Sequence, residues 1–547
     1  MAQGLLSIAI AVFVGFMRVA PLCFGGVCGV SPSTMEAVIV DTFRGTNAFF
    51  GSATAAYQVE GGRFKTVGEQ NSGAITGELR ASHIWDDFTR NTSLYGNDTA
   101  DVAVDFFNKW QEDVALVKSL NFNAFRFSIS WARLVNIDPA TKEQTINPDG
   151  LRYYQGIVDG LRAKGVEPVV TIFHWDLPSV FVDYSNLTAH GGMNDPDIVG
   201  HFETYAKLIF SHLKNVKYFT TFNEPQTTCV NGYGQGVFAP GLKTNRDMYQ
   251  CGHQLLRSHA RMVAAFRKTK LPQQGGKISI NLNQDMMYPR NEASPEDRAA
   301  AERQLVFRLA WWADPIFKDG DYPEEMRTYF TEQGLDLSFT EEEKGMLKGS
   351  ADFYAMQHYS SLLCTPAKEP TPENLGVDCN QEGTAARGWW ASASSWLKVN
   401  PEGIQKMLLW IHDRYHPESL VITENGVDDE DTGSTAGATQ SCGALDDPTR
   451  PGQCGACTLA NMKDEFRIEY YRGYVYNVAL AAKAGVKVTG YFAWSLLDNF
   501  EWADGFRCRF GLVCVNYTSP TKDRTPKSSA LWWKSLLQRI GETTALV

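Results

Sequence analysis

The feature that most constrains this chain is a regular alternation of short apolar runs with longer amphipathic stretches. The apolar runs resemble buried parallel strands and lie at residues 49–56, 123–130, 167–174, 217–222, 277–283, 352–359, 420–423 and 488–495. The stretches between them carry apolar residues at helical spacing, at residues 101–120, 149–164, 195–213, 248–268, 295–317, 401–415 and 462–484. Eight strand–helix units predict an α/β fold of the (β/α)8 TIM-barrel type, with its active site at the C-terminal ends of the strands.

An open, doubly wound sheet would produce a similar alternation of strands and helices. The first apolar run is not followed by a glycine-rich phosphate-binding loop, and this favours the barrel. We expect residues 31–547 to form one barrel domain with elaborated loops after its strands. A stretch at about 428–460, which contains many Gly and Asp residues, is predicted to be a long inserted loop.

Composition narrows the class of ligand. A formal net charge of −11 without clusters of Lys and Arg argues against nucleic acid as a partner. The hydrophobic content of 44% is enough for a large core, and fourteen Trp residues suit both core packing and stacking on sugar rings. A soluble, uncharged ligand is therefore favoured.

The N-terminus resembles a secretory leader. Residues 5–17 form one apolar run, too short to span a bilayer, although no Lys or Arg precedes it. We expect residues 1–30 to be a signal peptide and leader of a secreted chain; an uncleaved N-terminal anchor is the alternative. No other segment is long and apolar enough to cross a membrane. Four glycosylation sequons are compatible with secretion, at Asn91, Asn97, Asn186 and Asn516.

Of eleven cysteines, Cys23 and Cys28 lie in the predicted leader, so nine remain in the body. An odd number leaves at least one free thiol. The predicted disulfides are Cys508–Cys514, Cys229–Cys251 and pairs among Cys442, Cys454 and Cys457. The Cys454-Gly-Ala-Cys457 spacing also occurs in redox and zinc sites, but no His lies nearby, so a disulfide is favoured.

Two glutamates follow apolar runs directly. Glu224 precedes Pro225 at the end of one run, and Glu424 precedes Asn-Gly at the end of another. Two carboxyl groups at the ends of buried barrel strands form a candidate acid and nucleophile pair, whereas a lone glutamate there more often only caps a loop. Other strand ends also carry polar or aromatic groups that we expect to face one cavity: Gln58, Glu60, Arg126, His174, Trp175, Asn223, Asn283, His358, Tyr359 and Trp494.

Five segments carry a resemblance to a known family. They are Ala-Ala-Tyr-Gln-Val-Glu-Gly (55–61), His-Trp-Asp-Leu-Pro (174–178), Thr-Phe-Asn-Glu-Pro (221–225), Ile-Thr-Glu-Asn-Gly (422–426) and Trp-Ser-Leu-Leu-Asp-Asn-Phe-Glu-Trp (494–502). The five segments occur in the same order as in glycoside hydrolase family 1, the family of β-glucosidases, and the chain resembles this family over residues 49–537. The resemblance implies a retaining β-glycosidase that releases terminal, non-reducing β-D-glucosyl residues from O-glycosides. Its partner would be a small-molecule or oligosaccharide β-glycoside.

By this resemblance Glu224 is the acid and base, and Glu424 is the nucleophile that forms a glycosyl-enzyme. Retention of configuration requires the two carboxyl groups to lie about 5 to 5.5 Å apart. Arg126 and Tyr359 would keep Glu424 ionised, although an ordinary buried ion pair is the alternative for Arg126. Glu224 would stay protonated because of desolvation and repulsion by Glu424.

The resemblance also implies a set of sugar contacts. Glu501 would accept hydrogen bonds from the 4- and 6-hydroxyls and repel a 6-phosphate, Trp494 would form a stacking floor, and Trp396 would be a platform for the leaving group. A plain surface or core role is the alternative for Trp396. The full predicted substrate-binding set is Gln58, His174, Asn223, Asn283, Tyr359, Trp396, Trp494, Glu501 and Trp502.

Two positions depart from the family pattern. Gln357 precedes His358-Tyr359 where an Asn is usual, and Gln284-Asp285 follows Asn283 where an aromatic residue is common. The second departure puts the role of Asn283 in question.

Glu224 is a Glu rather than the Gln of plant thioglucosidases, and this favours O-glycosides, whose poorer leaving groups need a proton. The alternatives are a thioglucosidase or transglycosidase on the same site and a non-catalytic sugar-binding protein. Neither a metal nor an organic cofactor is implied, and the oligomeric state is not predicted.

Overall fold

The computed structural model describes residues 29–67, 74–92, 98–187, 191–371, 374–430 and 455–542. Eight parallel strands close into a barrel, namely β1 (Phe49–Ala53), β2 (Ala124–Ser128), β3 (Glu167–Phe173), β4 (Tyr218–Asn223), β5 (Lys277–Asn283), β6 (Tyr354–Gln357), β7 (Leu420–Asn425) and β8 (Val488–Trp494). Each strand pairs with the next in the sequence, and β8 pairs with β1. The predicted (β/α)8 barrel is confirmed, since every predicted apolar run overlaps one of its strands.

Each predicted amphipathic stretch also overlaps a helix. These helices are Phe106–Ser119, Pro148–Ala163, Ile198–His212, Asn245–Arg267, Pro295–Leu305, Trp311–Phe317, Pro401–Tyr415 and Glu465–Lys483. Proline occupies the first helical position at Pro148, Pro295 and Pro401, where its missing N–H costs no hydrogen bond. The stretch predicted as one helix at 295–317 is divided by a π-helical turn, Val306–Ala310.

Further helices and strands decorate the barrel. The other helices are Pro32–Phe43, Ala56–Val59, Ile84–Asn91, Trp131–Leu134, Pro225–Cys229, Glu324–Glu332, Glu341–Leu347, Leu459–Met462 and Ser528–Gly541. The strands outside the barrel are Phe64–Val67, Ala74–Glu78, Val135–Ile137, Gln144–Ile146, Met286–Pro289, Ser361–Pro366, Val377–Asn380, Trp390–Ala391, Lys398–Val399, Asp429–Glu430, Cys508–Arg509, Val513–Val515 and Arg524–Pro526. The helix Pro32–Phe43 was not predicted, and it buries Ile39, Val40 and Phe43.

The barrel interior has an apolar layer and a polar layer. The apolar layer consists of Ala124, Val169, Phe353, Ala355, Val421 and Phe492. Two residues further along their strands lie Arg126, Thr171 and Gln357, all completely buried. Because side chains alternate along a strand, residues two apart share a face, so the polar layer lies above the apolar one, towards the C-terminal strand ends.

Three disulfides occur among the described residues: Cys229–Cys251, Cys364–Cys379 and Cys457–Cys514. The first confirms a prediction. The predicted Cys508–Cys514 pair is wrong, because Cys508 lies on a strand paired with Asp429–Glu430 whereas Cys514 lies on a strand paired with Arg524–Pro526. Cys508 is instead a buried thiol.

Cys457 also does not pair with Cys442 or Cys454 as predicted, since it bonds to Cys514 across 57 residues. Cys442, Cys454, Asn97 and most of the predicted leader and inserted loop lie outside the described residues. Within the described ranges, no helix has both the length and the apolar composition needed to cross a bilayer.

Candidate active site

A cavity of about 480 Å³ lies at the C-terminal ends of the barrel strands. Eleven predicted site residues line it, namely Gln58, His174, Asn223, Glu224, Asn283, Tyr359, Trp396, Glu424, Trp494, Glu501 and Trp502. The twelfth, Arg126, is completely buried and contacts two of them. The structure therefore brings the whole predicted set together.

Glu424 is held by two donors at the end of β7. Arg126 donates from Nη1 to Oε1 at 2.5 Å, and the Tyr359 hydroxyl donates to Oε2 at 2.7 Å. Gly426 explains how the strand can end there, because a Cβ at this position would lie 1.9 Å from the carbonyl oxygen of Trp494. Only glycine permits this close approach of the ends of β7 and β8.

Glu224 occupies a backbone reversal directly after β4. Its φ of 44° is left-handed, and its N–H donates to the carbonyl of Asn281 on β5 at 3.1 Å. Pro225 then begins the short helix Pro225–Cys229. The reversal ends the strand at the barrel rim and leaves the Glu224 side chain in the cavity wall.

The two carboxyl groups differ in what surrounds them. Burial raises the pKa of Glu224 to about 8, and the charge of Glu424 adds to this shift. Burial also raises the pKa of Glu424, while the Arg126 charge and the two hydrogen bonds oppose the rise. The predicted supports of Glu424 are in place, but they do not outweigh its burial. Two donors thus favour the ionised form of Glu424, and Glu224 keeps its proton at neutral pH.

Asn223 is fixed by three neighbours. Its Oδ1 accepts from Arg126 Nη2 at 2.5 Å and from Gln357 Nε2 at 2.7 Å, and its Nδ2 lies 3.0 Å from His174 Nε2. Burial lowers the pKa of His174 well below its usual value, so the ring is neutral. A neutral ring that accepts at Nε2 carries its proton on Nδ1. Gln357, a departure from the family pattern, helps to lock this network.

Four buried polar atoms on cavity-lining side chains lack a partner among the described residues. One is a donor, His174 Nδ1, and three are acceptors, namely Gln58 Oε1, Asn283 Oδ1 and Gln357 Oε1. Buried polar atoms are normally hydrogen-bonded, so a cluster of exceptions around one cavity indicates a ligand with several hydroxyl groups.

Asn283 has a defined place despite the altered residues after it. Its Nδ2 donates to Thr227 Oγ1 at 2.8 Å and to Gln226 Oε1 at 3.3 Å. These contacts orient the amide and leave its oxygen as the unpartnered atom.

Glu501 contacts Gln58, whose Nε2 donates to Oε2 at 3.2 Å. Burial raises the pKa of Glu501 well above its ordinary value, and the charge of Asp428 adds to the rise. The charge that was expected at Glu501 to repel a 6-phosphate is therefore disfavoured in this structure. A protonated carboxyl group can still both donate to and accept from sugar hydroxyls.

Four tryptophans line the cavity, and the three that were predicted to contact the substrate lie at different depths. The His174 ring stacks on both Trp494 and Trp502, with centroid distances of 6.1 and 5.9 Å, and both indoles are buried. Trp396 is 43% exposed and meets Tyr359 edge to face. The first two form fixed walls, and Trp396 lies at the mouth.

Two strand-end residues do not face the cavity as expected. Glu60 accepts hydrogen bonds from Arg133 Nε and the Tyr154 hydroxyl, both at 2.8 Å, and His358 is buried with its Nδ1 2.9 Å from the carbonyl of Gln284. Sequence reasoning missed several lining residues on helical segments and loops beyond the strands, namely Gln226, Asn231, Gln235, Asp285 and Arg308. No cluster of three or more metal-ligating side chains occurs within the described ranges.

A (β/α)8 barrel with two buried glutamates at the ends of its fourth and seventh strands has the architecture of a glycoside hydrolase. The sequence model of glycosyl hydrolase family 1 matches residues 40–542, and the chain belongs to this family. It is 36% identical to beta-glucosidase 42 of Arabidopsis thaliana, over 93% of this chain and 96% of that protein.

Solved structures give the same result. The β-glucosidase of Trichoderma harzianum is 36% identical, with a TM-score of 0.78 over 92% of this chain and 99% of that one. An aphid myrosinase is 31% identical, with a TM-score of 0.75 over 91% of this chain and 99% of that one. The chain is thus a glycoside hydrolase of the β-glucosidase type.

Proposed function

We propose that this chain hydrolyses terminal, non-reducing β-D-glucosyl residues of O-glycosides with retention of configuration. The observation that carries the proposal is the unequal environment of two carboxyl groups in one cavity. Glu424 has two donors for its ionised form, whereas burial and the charge of Glu424 keep Glu224 protonated. Retaining glycosidases need one carboxylate and one carboxylic acid at the same scissile bond.

In the first step Glu224 donates its proton to the leaving oxygen while Glu424 attacks the anomeric carbon. The C–O bond to the leaving group breaks, and an ester forms between the sugar and Glu424. This step removes the negative charge on Glu424, which contributed to the raised pKa of Glu224. Glu224 can then act as a base.

In the second step Glu224 removes a proton from water, and the resulting oxygen nucleophile displaces Glu424 from the anomeric carbon. The sugar is released with its original configuration, and both carboxyl groups return to their starting states. The two carboxyl groups are expected to lie about 5 to 5.5 Å apart.

The sugar would be held by the side chains whose polar atoms lack partners. The Nδ1–H of His174 would donate to one hydroxyl, and the amide oxygens of Gln58 and Gln357 would accept from others. Glu501 and Trp494 would complete the pocket by hydrogen bonding and stacking.

A thioglucosidase is the second candidate, favoured by the similarity to the aphid myrosinase. Thiolate leaving groups need little protonation, so the acid Glu224 argues for O-glycosides. Transfer of the sugar to an alcohol instead of water uses the same two steps. A non-catalytic sugar-binding role would not account for the buried pair of glutamates.

Secretion is also part of the proposal. Three disulfides among the described residues suit an oxidising compartment. The sequon residues Asn91 and Asn186 are exposed, as glycosylation requires. Expression in a eukaryotic host, followed by N-terminal sequencing of protein from the medium, should show removal of the leader; retention of the intact chain in the cell would contradict this.

The test is hydrolysis of 4-nitrophenyl β-glucoside by the wild type, Glu424→Ala and Glu418→Ala. Glu418 is an exposed glutamate just before β7 and serves as the matched control. We expect turnover by the wild type and the control but not by Glu424→Ala, and ¹H NMR should show the β-anomer of glucose first. An inactive wild type, an active Glu424→Ala or a first-formed α-anomer would overturn the proposal.

A further inference from the structure

Arg308 is a cation in the wall of the active-site cavity. It lies on the π-helical turn Val306–Ala310 and is half-buried. Its guanidinium forms neither a hydrogen bond nor an ion pair with any of the described residues. Arginine usually uses its five N–H donors on carboxylates or carbonyls, so the group has unused binding capacity.

Asp285 is the charged group that acts on Arg308, but it is not its ion-pair partner. The Oδ1 of Asp285 accepts instead from the N–H of Ser360 at 3.1 Å. Burial lowers the pKa of Arg308 even though Asp285 opposes the change. The guanidinium remains charged, and its lost hydration is only partly compensated.

Contacts within the cavity wall relate Arg308 to Glu224. Asn283 donates to Gln226 and Thr227, in the segment that directly follows Glu224. Asp285 comes two residues after Asn283, and its charge acts on both Glu224 and Arg308. Arg308 is therefore assigned to the side of the cavity that holds the acid, where the leaving group would lie.

The cavity wall after β4 is polar. Three amide side chains on the segment that follows this strand line the same cavity as Arg308: Gln226, Asn231 and Gln235. Amides can orient a polar leaving group but cannot neutralise a charge. Arg308 is the cation among the described lining residues and could do so.

We propose that Arg308 selects β-glucosides whose leaving group bears a carboxylate. The guanidinium would bind this carboxylate through bidentate, charge-assisted hydrogen bonds. The inference rests on the proposed β-glucosidase function and adds the chemical class of the leaving group. Because Asp285 is engaged by the Ser360 N–H and forms no ion pair with Arg308, the carboxylate of a substrate can take the guanidinium without breaking a contact.

The experiment compares two substrates that differ only in this charge. The 4-(carboxymethyl)phenyl β-glucoside and its methyl ester have phenol leaving groups of similar acidity, so chemistry alone does not distinguish them. We expect the wild type to favour the acid over the ester by about tenfold in kcat/KM, mainly through KM, as a partly exposed charge-assisted bond allows.

Variants assign the preference to Arg308. In Arg308→Gln the acid-to-ester ratio should fall to about one or below, and Arg308→Lys should keep part of it as a point charge. Arg246→Gln, at an exposed arginine outside the cavity, should keep the wild-type ratio.

Each outcome either supports or overturns the role of Arg308. A wild-type ratio of one or less would overturn the inference whether or not the variants fold, and so would a ratio that survives in Arg308→Gln. If the wild type hydrolyses neither substrate nor 4-nitrophenyl β-glucoside, the proposed function itself fails. Turnover of the neutral glucosides without an acid preference removes only the role of Arg308.

Discussion

The two halves of the active-site cavity are built differently. On the proposed sugar side, Gln58, His174 and Trp494 are at most 3% exposed, and all three come directly from strand ends or the turns attached to them. On the proposed leaving-group side, Trp396 is 43% exposed and comes from a loop; Val237, which lines the same cavity from another loop, is 50% exposed. The sugar side is thus buried and hydrogen-bonded, whereas the leaving-group side is partly exposed to solvent.

This difference assigns separate tasks to the two halves. A strand end in a closed barrel has a fixed direction, so the groups that meet the scissile bond keep their geometry. A loop can vary without disturbing the barrel, and loops commonly carry specificity. Changes on the sugar side should therefore affect the chemical step, and changes on the other side should affect which substrate is preferred.

The largest effect is expected for Glu224→Gln. Loss of the general acid should lower kcat for phenyl β-glucoside by about 10² to 10⁴-fold. With 2,4-dinitrophenyl β-glucoside the glycosylation step should be much less affected, because this leaving group needs no proton. Pre-steady-state kinetics with both substrates measures the difference, and equal losses for the two would contradict the role of Glu224.

The pH dependence sharpens this prediction. Glu224 must be protonated, so kcat/KM should fall as the pH rises through about 8. Glu424 must be ionised, so kcat/KM should also fall on the acidic side, at a pH above the ordinary carboxyl value because burial raises the pKa of Glu424. The two limits belong to the coupled pair. In Glu224→Gln the fall of kcat/KM at basic pH should disappear. A fall that persists in this variant would show that another titrating group causes it.

A smaller effect is expected for Arg126→Lys. Lysine cannot make the three separate contacts of Arg126 with Glu424, Asn223 and Thr171. We expect kcat/KM to fall about 10- to 100-fold, as for the loss of a charge-assisted hydrogen bond. The acidic limb should move to higher pH, because the ionised form of Glu424 loses support. A loss of activity without this movement would show that Arg126 has only a structural role.

The smallest effect is expected for Trp396→Ala on the leaving-group side. Loss of a half-exposed aromatic platform should raise KM for aryl glucosides about two- to tenfold and leave kcat nearly unchanged. KM for alkyl glucosides should change less, since they stack weakly on an indole. A large fall in kcat would break the division between the two halves.

The sequence predicted for a physical reason that the strand-end residues would meet in one cavity. Glu224 and Glu424 each follow a short apolar run and precede Pro or Asn-Gly. The local sequence therefore predicts both the strand and the residue at which the strand ends. Once eight such runs are placed in a barrel, their ends must meet. Glu60 was misplaced because a local pattern does not reveal that Arg133 and Tyr154 bind it away from the cavity.

The leaving-group side escaped prediction because its signals are not periodic. Arg308 lies in a stretch that resembled one amphipathic helix, and a π-helical turn changes which face its side chain occupies. The Cys457–Cys514 bond joins residues far apart in the sequence, and cysteine spacing alone does not determine such pairing. The helix Pro32–Phe43 depends on packing that no motif marks.

The central claim is that Glu424 becomes covalently bonded to the sugar. Treatment with 2,4-dinitrophenyl 2-deoxy-2-fluoro-β-glucoside tests it most directly, because the fluorine slows both steps while the good leaving group lets the first step proceed. Mass spectrometry of the digested enzyme should then find one fluoroglucosyl group on the peptide that contains Glu424. An enzyme that remains unlabelled, or a label on any other residue, would contradict the account.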